Sequence, residues 1–289
     1  MEVTNFKIYL SVKDHSISKK TFDLHHDTNL DMLVTMPKPS EEELPAYYES
    51  EDYISHTDGK RTVFEKVYQF VKQIAIKNKL NLINNLHTKK GNLLDIGAGT
   101  GDFLSVVKQN GWQTTGIEPN EKARNSAINK GISFAESSKD FENQLFDVIT
   151  MWHVLEHIPD LQHQILELKR LLKPNGTILI AVPNFKSYDA KYYGAHWAAY
   201  DVPRHLSHFS KTAIKLLFAK QDLHLQKVLP MKFDAFYVAL LSEKYKNGKI
   251  NFLKAFFVGL KSNWKAKQNM EFSSHIYVIK KIENANEAF

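Results

Sequence analysis

The 289-residue sequence contains no cysteine. That absence excludes disulfides, thiolate zinc sites, iron–sulfur clusters and a cysteine nucleophile together, and it fits a cytoplasmic protein. Long apolar runs are missing too. Phe233–Leu241 and Ile250–Leu260 are the most apolar stretches, and both fall short of the roughly 18 residues a membrane span needs. Residues 1–20 mix Lys13, Asp14, Lys19 and Lys20 into short apolar pieces, so no signal-peptide core is expected. No basic block is longer than Lys60-Arg61 or Lys89-Lys90, so the formal net charge of +6 reads as a solvated surface rather than a nucleic-acid footprint. There is no internal repeat and no low-complexity tract.

What is present is the balance of a globular chain, with 43% hydrophobic and 24% charged residues. Three textures follow one another. Residues 1–45 carry short strand-like runs, Phe6–Leu10 and Met32–Val34, up to Pro37-Lys38-Pro39-Ser40. Ser40 and Glu43 then have the spacing of a capping box, which predicts a short helix toward Tyr47 and Tyr48. Across residues 46–87, Val63, Val67, Phe70, Val71, Ile74, Leu80, Ile83 and Leu86 recur at helical spacing, as one long helix or two in series. From residue 88 to 283 strand and helix alternate. Strands are expected at Leu93–Ile96, Gln113–Ile117, Phe146–Met151, Thr177–Val182, Leu225–Leu229 and His275–Ile282, with helices near 102–110, 120–130, 155–171 and 210–220. Alternation of this kind implies an α/β fold, a mostly parallel sheet of Rossmann-like type with helices on both faces. Phe233–Tyr245 and Asn251–Lys265 are helical insertions before the last strand, within 231–268; their aromatics Phe233, Phe236, Tyr237, Phe256, Phe257 and Trp264 are by default core.

The most informative run is Asn92-Leu-Leu-Asp95-Ile-Gly97-Ala98-Gly99-Thr-Gly101-Asp102. An apolar strand enters three closely spaced glycines and a helix leaves them. Glycines there permit positive φ and remove Cβ atoms that would hold a ligand away from the backbone. The next strand ends on Glu118, 17 residues after Gly101, followed by Pro119. An acid at that place can accept hydrogen bonds from ribose hydroxyls. Dinucleotide sites use G-x-G-x-x-G, and here the spacing is G-x-G-x-G, which argues against an NAD(P)-binding oxidoreductase.

This loop resembles motif I of the class I S-adenosylmethionine (SAM) dependent methyltransferases, D-x-G-x-G-x-G. The resemblance continues in order. Phe146-Asp147 leads into an apolar fourth strand; His153-Val-Leu-Glu156-His157-Ile-Pro-Asp160 resembles the H-V-L-E-H-x-x-D stretch of a subgroup that includes ubiquinone-biosynthesis and biotin-pathway small-molecule methyltransferases. Leu172-Lys173-Pro174-Asn175-Gly176 resembles its L-K-P-G-G turn, and Val182-Pro183-Asn184 its fifth strand end. The segment Trp197…Asp201-Val-Pro203-Arg204-His205-Leu206 to Ser210 is similar to W-x-x-x-D-x-P-R-H-L-x-x-F-S.

The resemblance implies SAM as cofactor, S-adenosylhomocysteine as product, a small-molecule methyl acceptor and no metal. Gly97, Ala98, Gly99 and Gly101 would shape the SAM turn, Asp95 would order it, Glu118 would bind the ribose with Pro119 beside it, and Ala135 and Glu136 would lie toward adenine. Met151 and His153, at the end of the fourth strand, would face the methionine end. Residues 186–210 are rich in aromatics and histidines and read as a lid over an acceptor pocket. In that reading His205 or His208 serves as general base and Arg204 orients the acceptor; the alternative is that Arg204, His205 and His208 pin the lid by hydrogen bonds. His153 and His157 also match H-x-x-E-H, and on one helix they would share a face for a metal, but no separate third ligand stands out. His157 as a cap of the following helix is the competing structural reading.

Residues 1–45 resemble the zinc ribbon that precedes the domain in several relatives, with Asp27 and Leu30 at the cysteine positions and Asp31 at the glycine. An acid and a leucine cannot rebuild a thiolate site, so a metal-less ribbon held by packing is expected. Adjacent His25 and His26 in a strand would point to opposite faces. The missing ribbon ligands keep a second reading open, a catalytically weak SAM-binding or interaction module.

Overall fold

The computed structural model describes residues 6–40, 42–48 and 63–281. Glu41 lies outside the described residues, as do the side chains of Val63 and Val67.

A seven-stranded sheet organises the chain from residue 92 on. Strands β4 (Asn92–Ile96), β5 (Gln113–Ile117), β6 (Ser133–Phe134), β7 (Phe146–Trp152) and β8 (Leu172–Pro183) pair in parallel, in the spatial order β8-β7-β4-β5-β6. The last strand, β11 (Ser274–Lys281), inserts antiparallel between β8 and β10 (Leu223–Pro230). Period-two alternation divides the apolar residues between two faces. Leu94, Ile149, Ile178 and Ile180 pack toward Leu168, Phe209 and Phe218, whereas Leu93, Val148 and Leu179 pack toward Ile83, Leu104 and Trp112.

The helices begin where local chemistry satisfies their first N–H groups. α1 (Val63–Leu86) is one continuous helix, and among its described side chains Ile83 is the fully buried one. Phe70, expected on the same stripe, is 65% exposed. α2 (Asp102–Gln109) starts on left-handed Gly101, and α3 (Glu121–Ile128) on Asn120, whose side chain accepts from Ala123 N–H. α4 (Leu161–Leu171) starts on Asp160, which accepts from His163 N–H. The single helix expected over 155–171 is therefore two pieces. Residues Leu155–His157 form a 3-10 turn, and Ile158 is extended (φ −77, ψ 122) because it precedes Pro159.

Residues 6–48 do not stand apart. β1 (Phe6–Lys13), β2 (Thr21–Asp27) and β3 (Met32–Met36) form an antiparallel sheet whose fourth strand, β9 (Ser207–His208), comes from the lid. Its two turns are built on carboxylates. Asp14 Oδ1 accepts from the N–H groups of Ser16 and Ile17, and Oδ2 from the N–H and hydroxyl of Ser18. Asp27 Oδ1 accepts from Asn29 and Leu30 N–H at 2.9 and 3.1 Å, at one of the positions where a ribbon's cysteine would stand. Asp31 takes a φ of +56, a left-handed conformation that aspartate tolerates better than most residues. The capping box is formed as expected, with Ser40 N–H donating to Glu43 and Glu43 N–H to Ser40, and it opens a 3-10 turn over Leu44–Tyr48.

The lid is buried. α5 (Tyr188–Tyr193) and the following turns pack Trp197 and Tyr200 against Phe22, Leu24 and Leu33 of the small sheet and against α7 (Asp234–Asn247) and α8 (Phe252–Asn269). At the centre of this core Asp189 accepts from Trp197 Nε1–H at 2.8 Å and from the hydroxyls of Ser262 and Ser273 at 2.6 and 2.7 Å. Apolar side chains on the outer face of α8 depart from the expectation of core: Phe256, Phe257 and Trp264 are 52%, 64% and 55% exposed, and Phe233 is exposed as well. α6 (Lys211–Ala219), capped by Ser210, follows and buries Ile214 and Phe218 in the core of the large sheet. Among the described residues no helix is long and apolar enough to cross a membrane.

Candidate functional site

From β4 the chain steps outward to β5 and β6, then returns to the other side of β4 as β7. The carboxyl ends of β4 and β7 thus mark the switch point at which open α/β sheets leave a crevice. The glycine turn lies there. Gly97, Gly99 and Gly101 have φ of +72, +54 and +73, which glycine adopts at little cost. Their surroundings differ. A Cβ on Gly97 would lie 2.4 Å from Val154, and one on Gly101 2.6 Å from the Ala127 Cβ, whereas one on Gly99 would meet nothing within 4 Å. Two of the glycines therefore serve close packing, and the third leaves open space above the turn.

That open space is bordered by an acid. Gly99 N–H donates to Glu118 Oε2 at 2.8 Å and Asn120 N–H to Oε1 at 2.9 Å. A carboxylate has about four acceptor sites, so the pair of oxygens is fixed and still open to further donors. Pro119 is exposed beside it. Ala135, after β6, donates its N–H to Gly116 O at 3.0 Å, and Glu136 is exposed. Both lie at the same edge, beyond β5.

Beneath the turn Asp95 is buried. Burial pushes its carboxyl up to about 7, against the Thr150 hydroxyl that donates to it at 2.5 Å and the charge of Lys79. Lys79 comes from α1. Burial pulls its ammonium down to about 8, against the attraction of Asp95 and Asp234. Its Nζ lies 4.2 Å from the centre of the Trp152 ring and 5.9 Å from that of Phe103, a cation–π arrangement. Lys79 escaped the sequence reading although a signal was there: it falls at i+3 of Ile76 and i−4 of Ile83, on the inward stripe of α1.

At the end of β7 the exposed surface belongs to Trp152 and His153. Met151, assigned to the cofactor by position, is fully buried within the core and offers no surface to a ligand; alternation along the strand turns it inward. His153 has a φ of +59 and its N–H donates to Ala181 O at 2.9 Å. Its Nε2 is 3.1 Å from Asp234 Oδ2 and its Nδ1 3.4 Å from Glu156 Oε1. Burial alone would lower its pKa, but the two carboxylates outweigh it and push it up to about 10. His153 is thus an imidazolium near neutral pH, able to hold a proton rather than take one. Asp234, at the start of α7, could not be found from the sequence because its role depends on how the insertion folds back.

The lid residues are engaged in packing contacts. Arg204 pairs with Asp201 and reaches Ser16 Oγ at 3.2 Å. Thr35 donates its hydroxyl to His205 O at 2.6 Å, so it accepts from His208 Nε2–H at 3.1 Å. Burial, then the nearby His205, hold His208 well below the ordinary histidine pKa. His205 donates Nδ1–H to Ala199 O at 2.9 Å. These are the pinning contacts of the structural alternative. His157 caps no helix; its Nδ1 faces Arg204 O at 3.0 Å and the Tyr48 hydroxyl at 3.1 Å. His153 and His157 do not share a helical face, since the stretch between them is not α-helical.

A family model described as "Methyltransferase domain" matches residues 66–228 of this chain. The chain belongs to this methyltransferase family. It is 32% identical over 162 residues to the ubiquinone biosynthesis O-methyltransferase of Actinobacillus pleuropneumoniae serotype 5b (strain L20), covering 48% of this chain and 68% of the relative. It is 31% identical over 161 residues to the protein of the same name from Haemophilus ducreyi (strain 35000HP / ATCC 700724), again 48% and 68%. The fold matches the crystal structure of a SAM dependent methyltransferase from Archaeoglobus fulgidus with a TM-score of 0.51 at 19% identity, over 72% of this chain and 93% of that one. As a class I SAM-dependent methyltransferase the chain has its family match on the sheet, the glycine turn and the lid, whereas β1–β3, α7, α8 and β11 lie outside it.

Proposed function

We propose that this SAM-dependent methyltransferase delivers its methyl group to an oxygen, or else a nitrogen or carbon, of a small and partly apolar molecule, leaving S-adenosylhomocysteine. The observation that carries the cofactor site is the pairing of an open Gly99 with Glu118, whose oxygens are fixed by Gly99 and Asn120 N–H. Gly97, Ala98 and Gly101 shape the turn from below. Glu118, beside Pro119, would take the ribose hydroxyls, and Ala135 and Glu136 would border the adenine. Asp95 orders the turn through Thr150. Lys79 places a cation beside the turn, suited to the carboxylate of the methionine part. When bound, SAM supplies a methyl group on a positively charged sulfur, and such a transfer depends mainly on holding the acceptor in line.

On the acceptor side, the ion-paired His153–Asp234 couple would border the reacting centre, His153 as donor and Asp234 as the group able to receive a proton. Arg204 and His205 keep a catalytic role in this proposal only through the wall they hold in place. The relatives named as ubiquinone-pathway O-methyltransferases favour a hydroxylated, apolar acceptor, and the diffuse positive charge favours a small molecule over nucleic acid. Calorimetry of the full chain with SAM and with S-adenosylhomocysteine tests the site; binding of both is expected, and failure of both would sink the reading. Turnover with hydroxylated aromatic acceptors then separates an active enzyme from a module that only binds.

A further inference from the structure

Glu156 has no good reason to be where it is. It sits in the 3-10 turn after β7 with 1% of its surface exposed, and neither carboxylate oxygen accepts a hydrogen bond. The nearest cation, His153 Nδ1, is 3.4 Å from Oε1 but outside hydrogen-bonding geometry. A buried carboxylate that accepts no hydrogen bond is costly even beside one imidazolium, and against burial, which works to raise it, His153, His205 and His157 together hold its carboxyl below the ordinary value. On its other side lie His157 and His205. One ligand atom from each of Glu156, His157 and His205 falls within 4.8 Å of the others, a spacing suited to one shared ion.

The outer contacts of both rings point the same way. His205 Nδ1 faces the carbonyl oxygen of Ala199 at 2.9 Å, and His157 Nδ1 that of Arg204 at 3.0 Å. A carbonyl oxygen can only accept, so the proton on each Nδ1 is fixed and Nε2 is the atom left for a ligand; at His205 that nitrogen lies 3.8 Å from Asp201 Oδ2. Backbone carbonyls that fix the tautomer in this manner are the usual outer contacts of metal-binding histidines.

We propose that Glu156, His157 and His205 form a divalent transition-metal site of the two-imidazole, one-carboxylate type, with zinc its preferred ion. Imidazole nitrogens favour zinc and its neighbours over magnesium, and three protein ligands leave a position for water or a substrate oxygen. The third ligand is invisible to an H-x-x-E-H reading because it arrives from the lid, about fifty residues on. Fixed there, the ion would tie the lid to the end of β7 beside His153. The inference does not depend on methyl transfer.

The test uses the full chain, stripped with chelator and dialysed against Zn²⁺, Co²⁺, Mn²⁺ or Mg²⁺, with metal content measured by mass spectrometry. About one equivalent of Zn²⁺ or Co²⁺ is expected and no retained Mg²⁺, with a visible Co²⁺ absorption that reports nitrogen and oxygen ligands. Glu156→Gln and His205→Gln should each weaken Zn²⁺ at least 100-fold, with His157→Gln, at a half-buried position, as the variant least demanding on folding. Far-ultraviolet dichroism and SAM binding check that each variant is folded. Absence of stoichiometric binding of Zn²⁺, Co²⁺ and Mn²⁺ would overturn the proposal. So would zinc retained equally by the folded variants, because the ion would then sit elsewhere, including at His25 and His26.

Discussion

The unequal surroundings of Gly99 and Gly101 separate ligand binding from folding. Both residues have positive φ, at +54 and +73, so alanine at either costs about 1–2 kcal/mol of backbone strain. At Gly101 the new methyl also meets the Ala127 Cβ at 2.6 Å and Ile132 at 3.3 Å. A contact that short forces α2 and α3 apart, and overpacking of this kind adds about 1–3 kcal/mol. Gly101→Ala should therefore cost about 2–5 kcal/mol, and Gly99→Ala only the strain. At about 2–4 °C per kcal/mol, thermal denaturation should place Gly101→Ala clearly below Gly99→Ala. SAM affinity should reverse the order of interest. The Gly99 methyl projects into the open space beside Glu118, and a ligand held there by backbone contact must retreat. A loss of at least about tenfold, or 1.4 kcal/mol, is expected by calorimetry for Gly99→Ala. Gly99→Asn sharpens the test, because asparagine tolerates left-handed φ and should preserve the melting temperature while weakening SAM further. If Gly99→Ala and Gly99→Asn bind SAM like the unaltered protein, the ligand does not lie on this turn and the reasoning fails.

Three further outcomes are expected. Glu118→Ala should weaken SAM at least about tenfold, and it also frees the N–H groups of Gly99 and Asn120; unchanged affinity in calorimetry would mean that Glu118 is not the ribose ligand. Asp189→Ala removes the acceptor of three buried donors, at about 1–3 kcal/mol for each one left unpaired, so chemical denaturation should show a loss of several kcal/mol; a loss below about 1 kcal/mol would contradict the network. His153 is raised from the ordinary 6.5 to about 10. Its ion pairs therefore contribute stability that is complete below about 6.5 and is lost as pH rises through about 10. Its ring signals in NMR should not move between pH 6 and 8 (roughly the ordinary histidine window), and Asp234→Asn should bring the titration down toward that window.

The sheet was legible because its strands announce themselves by content and punctuation. Gln113–Ile117 is found as expected, and β4, β7, β10 and β11 differ from the sequence reading only at their ends. Glycine spacing and the acid just after β5, on which the proposed cofactor site rests, are legible for the same reason: both are local. What escaped was non-local. Asp234 reaches the end of β7 only because an insertion folds back over it, and the meeting of His205, itself a candidate from the sequence, with Glu156 and His157 depends on a segment about fifty residues on. The helix drawn through 155–171 failed at a place the sequence does mark, since Pro159 and Asp160 together demand an extended residue and a fresh N-cap. Exposure of Phe256, Phe257 and Trp264 was not legible at all, because periodicity identifies an apolar face and not what covers it.

The small sheet gains its meaning from how it meets the lid. A loop carrying Trp197, Tyr200 and His208 at the mouth of a site would be an expensive thing to leave in water. Here its residues Ser207 and His208 continue the sheet begun by β1–β3, and Thr35 accepts from His208 while donating to His205. The aromatics are buried against Phe22, Leu24 and Leu33. The two turns of the small sheet are organised by Asp14 and Asp27. For Asp14, burial works to raise the pKa and hydrogen bonds from Ser16, Ile17 and Ser18 hold it below the ordinary carboxylate value. Carboxylates thus serve as the hubs of the turns, and the sheet pairs with the 207–208 strand without a metal ligand in either turn. His205, the one residue shared by that pinned segment and the Glu156 cluster, is consequently placed by packing before any ion or ligand arrives, which is the condition for a site to bind without first paying to order its own ligands.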